Sequence, residues 1–304
     1  MDEALYACRF LQFTAAMLIF GTAAFRMYAL AGSGDRAASN MLAQFDACFG
    51  CVLLAASVIA LISAIALLLC QTAAMAGSPA AAADVATVSA VLLETRFGRV
   101  WCWHLLLAAI LVLACLNRQP RRPVILLLSL GLLASFAWVG HATMGEGAAL
   151  VGHELNQTGH LLAAGLWLGG LVPLAWIIRQ TRRQPGNFAI SLARDALRNF
   201  SHMGYVAVAL IALTGAINAS LLVASLDAMF DTPYGRLLAI KILLFLAMVI
   251  VALINRLRLA PRISHDSGTV RALGRTVALE QSLGLGVLAI VSVLGTWPPA
   301  LYGD

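Results

Sequence analysis

The chain has 304 residues, 61% of them hydrophobic and only 11% charged, against roughly 25% charged in ordinary soluble domains, and its mean hydropathy is +0.89. That balance excludes a soluble globular protein and describes an all-α polytopic membrane protein, a single integral membrane domain over 1–304 with no soluble domain. The net charge of +6 reads as arginine placed for membrane topology rather than as a nucleic-acid patch.

About 20 apolar residues cross a hydrocarbon core of about 30 Å. Eight segments qualify: Tyr6 to Leu30, Leu42 to Leu69, Val100 to Leu116, Pro123 to Val139, Leu155 to Ile178, Phe200 to Val223, Leu237 to Ile254 and Val277 to Thr296. The first follows Asp2 and Glu3 rather than a basic region and is longer than a signal-peptide core, so it reads as a retained helix. The longest connection, Gln71 to Arg99, is alanine-rich and too short for a domain of its own. Of the 20 basic residues, 15 fall at Arg26 and Arg36 or between spans three and four, five and six, and seven and eight. That side is then cytoplasmic, and both termini are periplasmic. The six cysteines all lie in or beside spans and read mostly as small apolar residues.

The chain divides into two four-helix half-repeats, about 1–140 and 141–304. Glu94-Thr95-Arg96-Phe97-Gly98-Arg99 precedes span three, and Asp231-Thr232-Pro233-Tyr234-Gly235-Arg236 precedes span seven. Asn117-Arg118 closes the first of these spans and Asn255-Arg256 the second. An even number of spans per half gives a parallel repeat. Under this alignment His104 matches Lys241, the only lysine, and stands as a shallow residue near the outer boundary. Gly165, Gly169 and Gly170, and again Gly284 and Gly286, indicate close helix packing. Glu280, about one turn inside span eight, calls for an ion pair with Arg256 or Arg198.

Chemistry concentrates between Trp138 and Trp167. The stretch holds His141, His153 and His160, half of the six histidines, with Met144, Glu146 and Glu154. The topology places these histidines and His104 on the outer surface. Imidazole with thioether suits copper, whereas calcium or magnesium would want an oxygen shell. His153 and His160, seven residues apart, face one way if span five starts early. His141 and His160, on helix ends, are the principal ligand candidates. His104, His153 and Met144 would complete the shell, the last two from the connection itself. On the inner side Cys48 and Cys51 form a C-x-x-C whose thiols share a helical face, a possible exit for Cu(I) or simply two packed small residues. With Lys241 the only lysine there is no phosphate-binding G-x-x-x-x-G-K-[ST], and there is no G-x-S-x-G or H-E-x-x-H, so neither ATP drive nor a familiar enzyme is indicated.

The last hundred residues resemble the copper resistance D family of bacterial inner-membrane proteins. The resemblance rests on NFSHMGYVAVALIALTGAIN from Asn199, TPYGRLLAIKILL from Thr232, NRLRLAP from Asn255 and ALEQSLGLGVLAIVSVLGTWPP from Ala278. It extends upstream to HLLAAGLWLGGLVPL from His160. It implies a multi-pass inner-membrane protein that handles copper ion and is served by a periplasmic copper-binding protein of the copper resistance C type. It also implies copper movement into the cytoplasm, with His141 and His160 where the family's outer histidines are expected. Two other classes stand beside it. A b-type haem electron carrier would use intramembrane histidines as axial ligands, with room for at most one haem near the outer face. A non-transporting copper receptor or assembly factor would bind without flux.

Overall fold

The computed structural model describes residues 2–30, 36–117, 121–140, 146–184, 186–263 and 267–300. Ten α-helices follow in order: α1 (Asp2–Tyr28), α2 (Arg36–Ala76), α3 (Val85–Glu94), α4 (Arg96–Leu116), α5 (Arg122–Ala134), α6 (Gly147–Arg183), α7 (Asn187–Leu222), α8 (Leu226–Asp231), α9 (Pro233–Ile254) and α10 (Ser267–Leu294). Seven of them are long and apolar enough to cross a membrane. The eighth expected span falls on α5 and the 3-10 turn Ser135–Trp138, which together make a shorter apolar helix, Arg122–Trp138. Pro123 opens α5 where a missing N–H costs nothing, and Ser135 tightens its last turn.

Three helices far exceed a bilayer. α2 has 41 residues, α6 has 37 and α7 has 36, or roughly 55–60 Å each at 1.5 Å per residue. The alanine-rich stretch after α2, expected to be featureless, is itself helical, with a 3-10 turn at Pro79–Ala83 and then α3. Asp84 starts α3 by accepting from the Thr87 backbone N–H at 3.0 Å. The Thr87 hydroxyl and amide hold its carboxyl below the usual carboxylate range.

The two sequence motifs that precede spans three and seven fold alike. Thr95 and Thr232 cap α4 and α9, accepting from the backbone N–H of Gly98 at 2.9 Å and of Gly235 at 3.0 Å. A Cβ on Gly98 would strike the backbone of Val91 and Leu92, and one on Gly235 that of Ala228 and Met229. In each place a preceding short helix, α3 or α8, leans on the glycine.

The core is organised by α1 and α6, which cross so closely that glycine is required. A Cβ on Gly21 would run into the backbone of Gly165 and Gly169, and one on Gly169 into that of Met17 and Gly21. Around this crossing one apolar cluster joins α1, α2, α4 and α5 through Phe20, Ala60, Trp101 and Leu133, with Leu161 of α6. A second joins α6, α7, α9 and α10 through Trp167, Phe200, Met248 and Val277, with Phe25 of α1. The arginine-rich ends of the helices gather at one end of the bundle. There Asp46 takes Arg26 at 2.8 Å and Arg122 at 2.5 Å. At the opposite end Arg96 pairs with Glu154, and the Trp297 indole donates to the Tyr6 hydroxyl at 3.1 Å.

Glu280 corrects the expected ion pair. Its carboxylate accepts from Asn255 Nδ2 at 2.5 Å, and Asn255 Oδ1 accepts from the Thr276 hydroxyl at 2.5 Å. The π-turn Asn255–Leu259 turns Asn255 into the core. Arg256 lies instead over the Tyr205 ring, at 5.9 Å from its centroid, and Arg198 sits 3.6 Å from Asp195.

Candidate metal centre

α6 begins at Gly147, whose φ of +61° follows the connection from α5. The early start puts His153 within its first two turns, not on the connection, and both His153 and His160 are buried. The residues His153, Asn156, Gln157 and His160, spaced three, four and seven apart, form one polar stripe along α6. α7 answers it. Asn156 Nδ2 donates to Asn218 Oδ1 at 2.8 Å and to the Thr214 carbonyl at 3.1 Å, and Asn218 Nδ2 donates to Gln157 Oε1 at 2.8 Å.

His160 ends this ladder, and its neighbours determine where its proton lies. The Thr214 hydroxyl donates its one hydrogen back to the Leu210 carbonyl at 2.5 Å. Its oxygen therefore accepts from His160 Nδ1, 2.9 Å away. That fixes the imidazole with Nδ1 protonated and Nε2 carrying a free lone pair, the form that ligates metal. His160 also lines a cavity of about 290 Å³ with Trp167, Gly215, Lys241 and Phe245.

His104 shows the same chemistry in a closed form. It is fully buried within the bundle, because Trp101 stacks on it at 4.4 Å and Phe136 tilts against it at 4.8 Å. The Ser135 hydroxyl donates to the Leu132 carbonyl at 2.7 Å, so Ser135 Oγ accepts from His104 Nδ1, also at 2.7 Å. Here Nε2 is not free: the Gln12 amide nitrogen donates to it at 2.6 Å, and the Gln12 carbonyl takes the Ser63 hydroxyl. Both ring nitrogens of His104 are thus committed. Gln12→Leu is expected to cost about 1–3 kcal/mol by stranding the buried imidazole lone pair. The double variant Gln12→Leu/His104→Leu should recover part of that loss, as thermal unfolding in detergent would register.

Of the expected ligands, the described ones, His104, His153 and His160, do not form one metal-holding group. His153 and His160 share a face but stand roughly 10 Å apart along the helix, too far to hold one ion directly. His141 and Met144 lie outside the described residues. Among the described residues no three His, Cys, Asp or Glu side chains form a metal-holding group. At the arginine-rich end Cys51 lines a cavity of about 820 Å³ together with Cys115, while Cys48 is on the exposed surface beside it. Cys48 and Cys51, three residues apart on α2, are both exposed, and the cavity adds Cys115 of α4 to Cys51.

Thr214, Gln12, Ser135 and Asn218 were not singled out from the sequence. The available signal was their rarity, since isolated polar residues within apolar spans need partners. Which partner each one takes depends on helix packing, which no local pattern states.

Residues 1–151 match the family described as copper resistance protein D-like, N-terminal domain, and residues 194–294 match that described as copper resistance protein D. The inner membrane protein YebZ of Escherichia coli strain K12 is 34% identical, the alignment covering 96% of this chain and 97% of YebZ. Copper resistance protein D of Pseudomonas syringae pv. tomato is 30% identical over 99% of this chain and 98% of its own length. The copper transport protein CutJ of Bacillus subtilis strain 168 is 30% identical over 68% of this chain but only 38% of CutJ. No solved structure matches the chain. With both halves matched and two relatives aligned nearly end to end, the chain belongs to the copper resistance protein D family of membrane proteins.

Proposed function

We propose that the protein binds copper and carries it across the bacterial inner membrane, from periplasm to cytoplasm, with both termini on the periplasmic side. The observation that carries this reading is His160, whose Nδ1–H is spent on Thr214 while Nε2 keeps its lone pair beside a cavity. Imidazole nitrogen is a copper ligand in either oxidation state. The inner-membrane location of YebZ and the names of the two copper relatives support the same setting. His141 joins His160 as the second ligand, with Met144 completing the shell and His153 feeding it. His104 contributes only where the Gln12 amide gives way.

The chain acts as one integral membrane domain of two half-repeats, about 1–140 and 141–304, and a periplasmic copper-binding protein of the copper resistance C type delivers the ion. Inward movement of a monovalent cation is favoured by about 2.3 kcal/mol per 100 mV of potential, so no nucleotide is needed. The inner cavity with Cys51 and Cys115 is the exit, thiols being suited to Cu(I). The test is copper uptake into sealed proteoliposomes under an imposed potential, negative inside. The native protein is expected to load the vesicles and His160→Ala to abolish loading. Binding without uptake by the native protein would make it a receptor, and uptake unchanged in His160→Ala would overturn the site.

A further inference from the structure

Lys241 supplies a charge that the copper reading does not use. It stands on α9, which packs on α10, while α7 packs on α6, and the two outer helices α7 and α9 stand apart. The gap between them is the cavity that His160 borders. Ala212 and Ala216 of α7 and Ile242 and Leu246 of α9 line it and are themselves exposed on the side of the bundle. On helices that read as membrane spans, such a mouth opens to acyl chains rather than to water.

Within this apolar cleft Lys241 has no hydrogen bond or ion pair among the described residues. Among the described residues Asp46 bonds Arg26 and Arg122, Glu154 bonds Arg96 and Glu280 bonds Asn255, while Asp227 and Asp231 are exposed on α8. Lys241 lies four residues past Leu237, where the apolar span begins, roughly 6 Å along the helix, in the outer part of the hydrocarbon layer. An ammonium at that depth needs a counter-ion. Among the described residues no carboxylate provides one, and the mouth lined by Ala212, Ala216, Ile242 and Leu246 opens on the side of the bundle.

We propose that the α7–α9 cleft is a binding site for a single-chain acidic amphiphile, a fatty-acid carboxylate entering from the bilayer, with its head on Lys241 and its chain along the apolar mouth. A cavity of about 290 Å³ admits a carboxylate and part of one acyl chain but not a two-chain lipid. His160 stands beside the head, so occupancy of the cleft neutralises the charge facing that imidazole.

The experiment is native mass spectrometry of the purified full chain in detergent, with oleate, methyl oleate and phosphatidylglycerol as probes and a copper chelator present throughout. A charge-assisted hydrogen bond predicts at least about tenfold tighter binding of oleate than of its methyl ester. Lys241→Gln should lower oleate to the level of the ester, and Lys241→Arg should retain it. Equal binding of oleate and methyl oleate by the native chain would overturn the proposal, as would oleate binding unchanged in Lys241→Gln. Preference for phosphatidylglycerol over oleate would overturn the single-chain assignment. Because the chelator removes copper, a negative result here leaves the copper reading untouched. Should Lys241→Gln fail to fold, the comparison of acid and ester on the native chain decides alone.

Discussion

Gly169→Leu is expected to leave almost no folded protein, the largest effect of any single substitution considered for this chain. Overpacking a core usually costs about 1–3 kcal/mol because neighbouring side chains can rotate away. At Gly169 the obstacle is the Met17 carbonyl and the Gly21 Cα on the facing helix. Backbone cannot rotate away, so α1 and α6 would have to separate and both apolar clusters would open with them. The measurement is recovery of monodisperse protein in detergent and its thermal midpoint, beside two controls. Gly50→Ala has nothing within 4 Å and should be neutral or slightly stabilising, because alanine favours a helix by up to about 1 kcal/mol over glycine. Gly286→Ala meets only the Leu244 side chain, at 3.4 Å, and should be close to neutral. A Gly169→Leu protein as stable as these controls would show that α1 and α6 do not cross where the structure places them.

Thr214→Val is the second large effect expected, and it bears on the proposed copper site without replacing a ligand. Valine fills nearly the same volume but accepts no hydrogen bond, so His160 loses the group that fixes its proton on Nδ1. Removing such an outer partner typically lowers metal affinity by about 10–100-fold. Thr214→Ser keeps the oxygen and is expected to retain most of the affinity. Titration of the purified protein with copper against a competing chelator reads both variants directly. Native affinity in Thr214→Val would mean that the imidazole is not oriented by α7 and would remove the main support for His160 as the central ligand.

The architecture was legible because hydropathy states it: a run such as Leu237 to Ile254 can be little other than a span. Even the caps of α4 and α9 were visible as a repeated acid-Thr-x-aromatic-Gly-Arg, although the sequence did not say that its threonine starts a helix and its glycine seats a neighbour. The fourth span was harder, since Arg122–Trp138 carries enough apolar residues but closes in a tight 3-10 turn that averaging over a window hides. Side-chain chemistry was less readable still. Glu280 invited an arginine because a charge in a span needs relief, yet an amide answers it, and the register that selects Asn255 over Arg256 comes from one π-turn. His104 and His160 look equivalent as letters. What separates them is the residue opposite Nε2: an amide from α1 closes one ring, while the other borders a cleft. Such differences arise from contacts between residues about 50 to 90 positions apart, which spacing within one helix cannot encode.

The length of α6 and α7 has a mechanical consequence. Their arginine-rich ends continue as an antiparallel pair joined within a few residues, whose Ile178, Leu192 and Ala193 share a buried cluster with Leu273 of α10, and the Thr181 hydroxyl bonds across the pair to the Ala189 carbonyl at 3.2 Å. Such a pair is stiff. Because α6 is also the helix that meets α1 at Gly21, a rotation about that glycine contact moves the hairpin together with the start of α10 that packs on it. The hairpin is therefore a lever with its fulcrum inside the membrane, and a distance label at its tip would amplify rearrangements around His160 that are too small to follow at the site itself.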